Sequence, residues 1–323
     1  YCSPKDFETM MQLTYLTFTA PRRDDEAFAS YKNRNKAALL NQEMNPNVAF
    51  SDSITFALQM GHPRTIRMKA DMIDKMDYDK ILAMYQDRYK DASDFTFILV
   101  GNVDVESMKP LIAEYLGALP AIDRKESFKD NKIEYRKGVY KNEFVREQET
   151  AKASNFVCFI GTCKYDLKNS ILQDMTCQIM DLVYTEKVRE DEGGTYGVYV
   201  GGNLSKYPKE IAGIQIVFDT APSKREKLMK IIFAEIEHIS KEGPSQANLN
   251  KVKEFMLKKH AEDLKENSYW MGSIDEYLFT GMNPIKDYEQ TVNSITAKDI
   301  QKFADDLFKQ KNEVEVSMIS PDK

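Results

Sequence analysis

Six apolar positions in the first half of the chain recur in the second half at one fixed separation. Ile81, Tyr85, Tyr89, Phe95, Phe97 and Leu99 correspond to Ile300, Ala304, Phe308, Val314, Val316 and Met318, every pair at the same offset. Upstream, Met10 and Leu13 correspond to Leu228 and Ile231 at an offset shorter by a single position. The breakers Pro21 and Gly243-Pro244 fall at the same place between paired helical stretches. A constant offset over this length is the mark of a duplicated unit. Chance agreement between amphipathic helices could produce single pairs. It accounts poorly for the shared order of helix, turn, helix, then helix and strand.

The repeat predicts architecture. The second copy carries strands and a long helix between about Val139 and Thr220, whose counterparts in the first copy would precede Tyr1. The expectation is therefore an α+β fold of two homologous sandwich units, each a sheet with helices on one face. The first unit, 1–124, is expected to be truncated at its N-terminal side, and the second is 125–323. A chain that opens on Tyr1 reads as a processed product or a fragment, so any targeting segment would lie upstream. A length of 323 residues suits two domains at roughly 150 residues each.

Composition removes several function classes. Hydrophobic residues are 42% and charged residues 30%, enough apolar material to offset ordering entropy. The net charge is −6, the pI is near 5.4, and no Lys/Arg run exists, which argues against nucleic-acid binding. The longest strong apolar run, around Phe97–Val100, is far too short to span a membrane. Cys2, Cys158, Cys163 and Cys177 form no C-x-x-C pair and read as buried free thiols.

Along the chain, Ser3-Pro4-Lys5-Asp6 reads as a capped helix start and is followed by helices over 7–18, 24–40 and from Asp79. Phe95–Val100 reads as a strand closed by Gly101-Asn102, and Asp104 as the cap of a helix reaching Tyr115. In the second half, strands are expected at 143–149, 155–162, 196–200, 211–219 and 314–319. Helices are expected at 167–189, with a stripe of Leu172, Met175, Ile179 and Leu182, and at 222–242, 245–267 and 297–308.

The chemistry available in the chain is sparse. His62, His238 and His260 are the only histidines, and none has another His four residues away, so no zinc dyad is present. His238 reads as a solvated helix edge, His260 as a packed histidine and His62 as a surface loop residue. No G-x-S-x-G elbow, phosphate-binding loop or G-x-G-x-x-G exists. The unusual segment is Lys187-Val188-Arg189-Glu190-Asp191-Glu192-Gly193-Gly194-Thr195-Tyr196-Gly197-Val198. Arg189 ends a long helix, the double Gly turns the chain, and Tyr196 begins a strand. A guanidinium fork and a phenol placed this way can hold a peptide carbonyl or stabilise an oxyanion. Equally, Arg189 can neutralise the helix C-terminus while Tyr196 packs on the sheet.

Two stretches resemble a known family. One runs from Phe95-Thr96-Phe97-Ile98-Leu99-Val100-Gly101-Asn102 through Lys109-Pro110-Leu111-Ile112 to Tyr115-Leu116-Gly117-Ala118-Leu119-Pro120. The other is Val188-Arg189-Glu190-Asp191-Glu192-Gly193-Gly194-Thr195-Tyr196-Gly197-Val198. They are similar to the strand–helix–"Leu-Pro" end and the "R-E-x-x-G-x-x-Y-x-V" segment of the insulinase/pitrilysin-type zinc peptidases, the inverzincins. Leu13 to Asp24 also matches that family's paired long helices.

The resemblance implies a LuxS/mitochondrial-processing-peptidase-like fold in four related domains, two per half. This chain would then be the C-terminal half, with 1–124 the truncated third domain and 125–323 the fourth. The zinc segment H-x-x-E-H and a downstream Glu belong to the absent N-terminal half, so no metal ligand is expected here and the fragment alone is expected to be inactive. By the resemblance, Tyr196 would donate to the tetrahedral oxyanion and Arg189 would orient substrate carbonyl or carboxylate groups. The implied partners are an unfolded peptide substrate and a zinc-bearing N-terminal half or subunit. The implied setting is the bacterial periplasm or cell envelope. A non-catalytic peptide-binding or scaffold subunit of the same fold is the alternative, followed by an interaction protein in which Arg189 and Tyr196 are structural.

Overall fold

The computed structural model describes residues 2–102, 104–187 and 197–321. The first six helices are α1 Phe7–Thr19, α2 Asp25–Glu43, α3 Pro46–Gln59, α4 Ala70–Asp74, α5 Tyr78–Tyr89 and α6 Val105–Leu111. The remaining helices are α7 Leu167–Tyr184, α8 Arg225–Lys241, α9 Gln246–Asp263, α10 Asn267–Thr280, α11 Tyr288–Ser294 and α12 Ala297–Phe308. The strands are β1 Val139–Val145, β2 Ala153–Thr162, β3 Val198–Ser205, β4 Ile211–Thr220 and β5 Glu313–Ile319. Two compact units result. One is Tyr1–Gln42, Met68–Lys129 and Trp270–Gly272, and the other is Glu43–Arg67, Asp130–Tyr269 and Ser273–Lys323.

The first unit is helical among its described residues. Phe18 of α1 meets Phe95 edge-on with ring centroids 4.8 Å apart and Tyr89 at 4.9 Å. Asp91 is fully buried and accepts four hydrogen bonds, from Ser93 N and Oγ, Ile122 N and Arg124 N. The Ser93 hydroxyl and these backbone N–H groups hold its carboxyl well below the usual range. The expected strand at 95–100 does not form. Phe95 and Phe97 do share one side, both facing Phe18, but the stretch has no ladder. A strand needs a neighbouring strand to take its backbone groups, and the only sheet among the described residues lies in the second unit. The expectation of two sheet-bearing units is corrected accordingly. α5 and α12 are both 12 residues long, and their first residues, Tyr78 and Ala297, stand at the same offset as the apolar pairs; α3 and α10 are both 14 residues long.

The second unit is α+β, with a mixed sheet in the order β1-β5-β2-β4-β3. β1 runs parallel to β5, and the other neighbours are antiparallel. Val157, Phe159, Ile214, Ile216 and Phe218 face one side and join α7, α8, α9 and α12 in the main core. Each fully buried Ile there, such as Ile214 and Ile216, contributes roughly 1.5–3 kcal/mol. On the opposite face, Phe50 and Ala57 of α3 cover Phe156, Cys158, Ile160, Val314, Val316 and Met318. β2 is therefore buried on both sides, whereas β4 alternates buried and half-buried residues.

Local signals explain most elements. Thr296 and Asp299 form a reciprocal capping box, and Ile300, Phe303, Ala304 and Leu307 are the buried face of α12. α3 goes beyond the expected helices, although Asn45 accepts from Asn47 N and Pro46 occupies the first turn. α10 and α11 likewise have no counterpart among the expected elements. Ser3 makes no side-chain cap bond, and β1 lies four residues upstream of its expected position. α7 ends at Tyr184 and passes into a wider turn through Lys187; Leu182 of the expected stripe is exposed.

Candidate functional site

Arg189 and Tyr196, the residues singled out by sequence, lie outside the described residues, as do Gly193 and Gly194. Their flanks are well defined. Asp166 caps α7 by accepting from Asn169 N at 2.9 Å. At the other end Tyr184 is fully buried and donates its hydroxyl to Ile232 O at 3.0 Å; burial pushes that phenol well up. Lys187 pairs with Glu235 of α8. Burial raises the Asp181 carboxyl, partly offset by the backbone N–H of Val200 on β3. The chain re-enters at Gly197, with Val198 and Val200 buried and Tyr199 exposed. Gly202 brings β3 hard against α7, since a Cβ there would sit 2.5 Å from Gln173 Nε2 and 2.8 Å from Cys177 Sγ. The helix and strand on either side of the undescribed residues, α7 and β3, are thus packed directly on each other.

The histidines are dispersed. His62 is half-buried rather than a free surface residue, its Nε2 lying 3.1 Å from Asn131 O. His238 is on an exposed helix edge beside Glu242. His260 is buried, stacked on Tyr288 at 4.2 Å, with Nδ1 2.9 Å from the Tyr269 hydroxyl. Among the described residues no three His, Cys, Asp or Glu side chains converge to hold a metal ion, so these residues do not fit a zinc site. All four cysteines are free; Cys158 and Cys177 are buried, but Cys163 is half-buried and Cys2 exposed, contrary to the expectation of four buried thiols. No helix among the described residues is long and apolar enough to cross a membrane.

Several concavities among the described residues of the second unit lie outside the sequence reading. A cavity of about 670 Å³ lies between the start of α7 and α12, but Lys168, Lys302 and Lys309 in its wall are already paired with Asp299 and Asp306. A groove of about 320 Å³ is lined by His260, Tyr269, Tyr288 and Asp174, and its walls push the Asp174 carboxyl up to about 6 by desolvation. A third, about 150 Å³, opens on the sheet face opposite the main helices, lined by Leu58, Tyr135, Cys158, Ile160, Asn203, Ile211, Gly213 and Gln215 among others. The signal for it was present as glycines inside strand patterns, which mark a close approach or missing side-chain volume.

Comparison with known proteins places the chain. A family model described as the peptidase M16 inactive domain matches residues 75–256, a stretch running through Arg189 and Tyr196. A PQQL-like zinc protease of Arabidopsis thaliana is 26% identical over 289 residues, 83% of this chain and 30% of that protein. The chain therefore spans less than a third of the length of this curated relative. The periplasmic protease PqqL from Escherichia coli superposes with a TM-score of 0.82 at 16% identity, covering 98% of this chain and 35% of that one. A peptidase M16 inactive domain from Pseudomonas fluorescens gives 0.75 at 19% identity, covering 99% and 76% respectively. These two likenesses concern the fold. With more than half of its length matched by the family model, the chain belongs to the M16 peptidase family as a domain of the inactive type.

Proposed function

We propose that this chain is the substrate-holding, metal-free part of a zinc metalloendopeptidase that hydrolyses unfolded peptides. Zinc and the water it activates reside on another half of the same protein or on a partner subunit. Arg189 and Tyr196 are supplied from here. In this reading the Tyr196 hydroxyl donates to the scissile carbonyl oxygen and holds it more tightly as negative charge develops. Arg189 presents two parallel N–H donors to a neighbouring substrate carbonyl or carboxylate. Residues 1–124 and 125–323 are two related domains of that half. A periplasmic setting rests on the Escherichia coli likeness.

The observation that carries the reading is the inactive-type family match running through the Arg189–Tyr196 segment. The close packing of α7 on β3, which flank the segment in sequence, is compatible with it. The inactive-type description also favours a second reading, a non-catalytic subunit that captures peptides without aiding chemistry. Kinetics separate the two. In the complete peptidase, Tyr196→Phe is expected to lower kcat about 10²-fold with little change in KM, and Arg189→Lys to impair turnover in the same sense. Unchanged kcat in both folded variants would favour the subunit reading.

A further inference from the structure

We infer that the cavity of about 150 Å³ beside α3 on the sheet face opposite the main helices is a subsite for one aliphatic side chain of an extended peptide. The inference rests on the peptide-binding reading above and names where the peptide is gripped. Leu58, Ile160 and Ile211 supply apolar walls, and Gly213 on β4 leaves space at the base. A Cβ on Gly213 would meet only Phe159 O at 3.7 Å and Ile160 Cγ1 at 3.9 Å. The volume suits one Leu, Ile or Met side chain and is well below the size of roughly 300 Å³ at which sites for larger organic ligands begin. The lining contains no charged residue, so the occupant is neutral where it enters.

The rim identifies the rest of the ligand. Asn203 and Gln215 point to the same sheet face from adjacent strands and make no side-chain hydrogen bond among the described residues. Each carboxamide offers one acceptor and an NH₂ donor, the complement of a peptide unit's N–H and C=O. The outer wall is prebuilt. The Arg136 backbone N donates to Leu58 O at 2.8 Å, and its Nε donates to Ala57 O at 2.6 Å. Its guanidinium lies 3.9 Å over the Tyr140 ring, and Glu134 pairs with Lys209 at 2.6 Å. These contacts fix Tyr135 and Leu58 without a ligand, so little ordering cost remains for binding.

The test is fluorescence anisotropy of the whole chain with fluorescein-labelled Ser-Gly-Thr-Leu-Thr-Gly-Ser and the same peptide with Asp at the centre. The Leu peptide is expected to bind about tenfold tighter or more, the value for burying one aliphatic side chain. Gly213→Val should abolish that preference by filling the base. Should Gly213→Val not fold, the rim variant carrying Asn203→Ala and Gln215→Ala must weaken the Leu peptide by about tenfold at unchanged melting temperature. Binding that is indifferent to the central residue and to these substitutions overturns the subsite and leaves the peptide reading standing. No binding of either peptide by the wild-type chain overturns both.

Discussion

Glu313 and Glu315 sit two residues apart on β5, so both point to the same side of the sheet, opposite Lys141 of β1. Burial, then the hydrogen bond and negative charge of Glu315, push the Glu313 carboxyl up to about 7 from 4.5, with Lys141 opposing. The native protein therefore holds a proton there that the unfolded chain releases between about pH 4.5 and 7, so stability falls as pH rises through this window. At about 1.4 kcal/mol per unit of separation the full linkage would be about 3 kcal/mol. The Glu313 side chain keeps 16% exposure, so solvent screening reduces its contribution to about 1–2 kcal/mol. Glu313→Gln keeps a donor toward Glu315 but cannot ionise. Urea unfolding at about pH 5 and pH 8 should then show equal stabilities at the lower pH. At the higher pH the variant should be more stable than wild type by about 1–2 kcal/mol. Parallel pH dependences in the two proteins, or wild-type stability that rises over this range, would refute the raised Glu313 carboxyl.

Two further outcomes follow from the geometry. Gly202→Val drives a side chain into buried Gln173 and Cys177; overpacking of this kind should cost about 1–3 kcal/mol in chemical unfolding. A variant as stable as wild type would show that α7 and β3 are not closely packed. Metal analysis of the purified chain should find no stoichiometric, chelator-removable zinc, because its histidines are dispersed. One tightly held zinc per chain would reverse the assignment of the metal to another half.

Much of the helical framework was legible because its signals are local. The Thr296 and Asp299 cap and the apolar spacing of Ile300, Phe303, Ala304 and Leu307 define α12 from within a few turns of one another. The alternation of β4 is written in Ile211–Thr220 itself. Arg189 and Tyr196 rest on their flanking glycines and family-like spacing alone, because they fall outside the described residues.

The sequence by itself determined the element periods, the constant offset between apolar positions and membership of a peptidase family, since each depends on residue order alone. Tertiary structure decided what that order leaves open. Phe95–Val100 has strand periodicity but no ladder, because a ladder needs a neighbour that no local pattern supplies. α3 covers the far face of β2 and β5, although its own sequence says only that it is a helix. The cavity sized for one side chain exists because Leu58, Tyr135 and Gly213 are distant in sequence and meet only when α3, the 130–138 segment and the sheet are assembled. The raised Glu313 carboxyl likewise needs burial beside Glu315, since an exposed carboxylate in water would simply ionise.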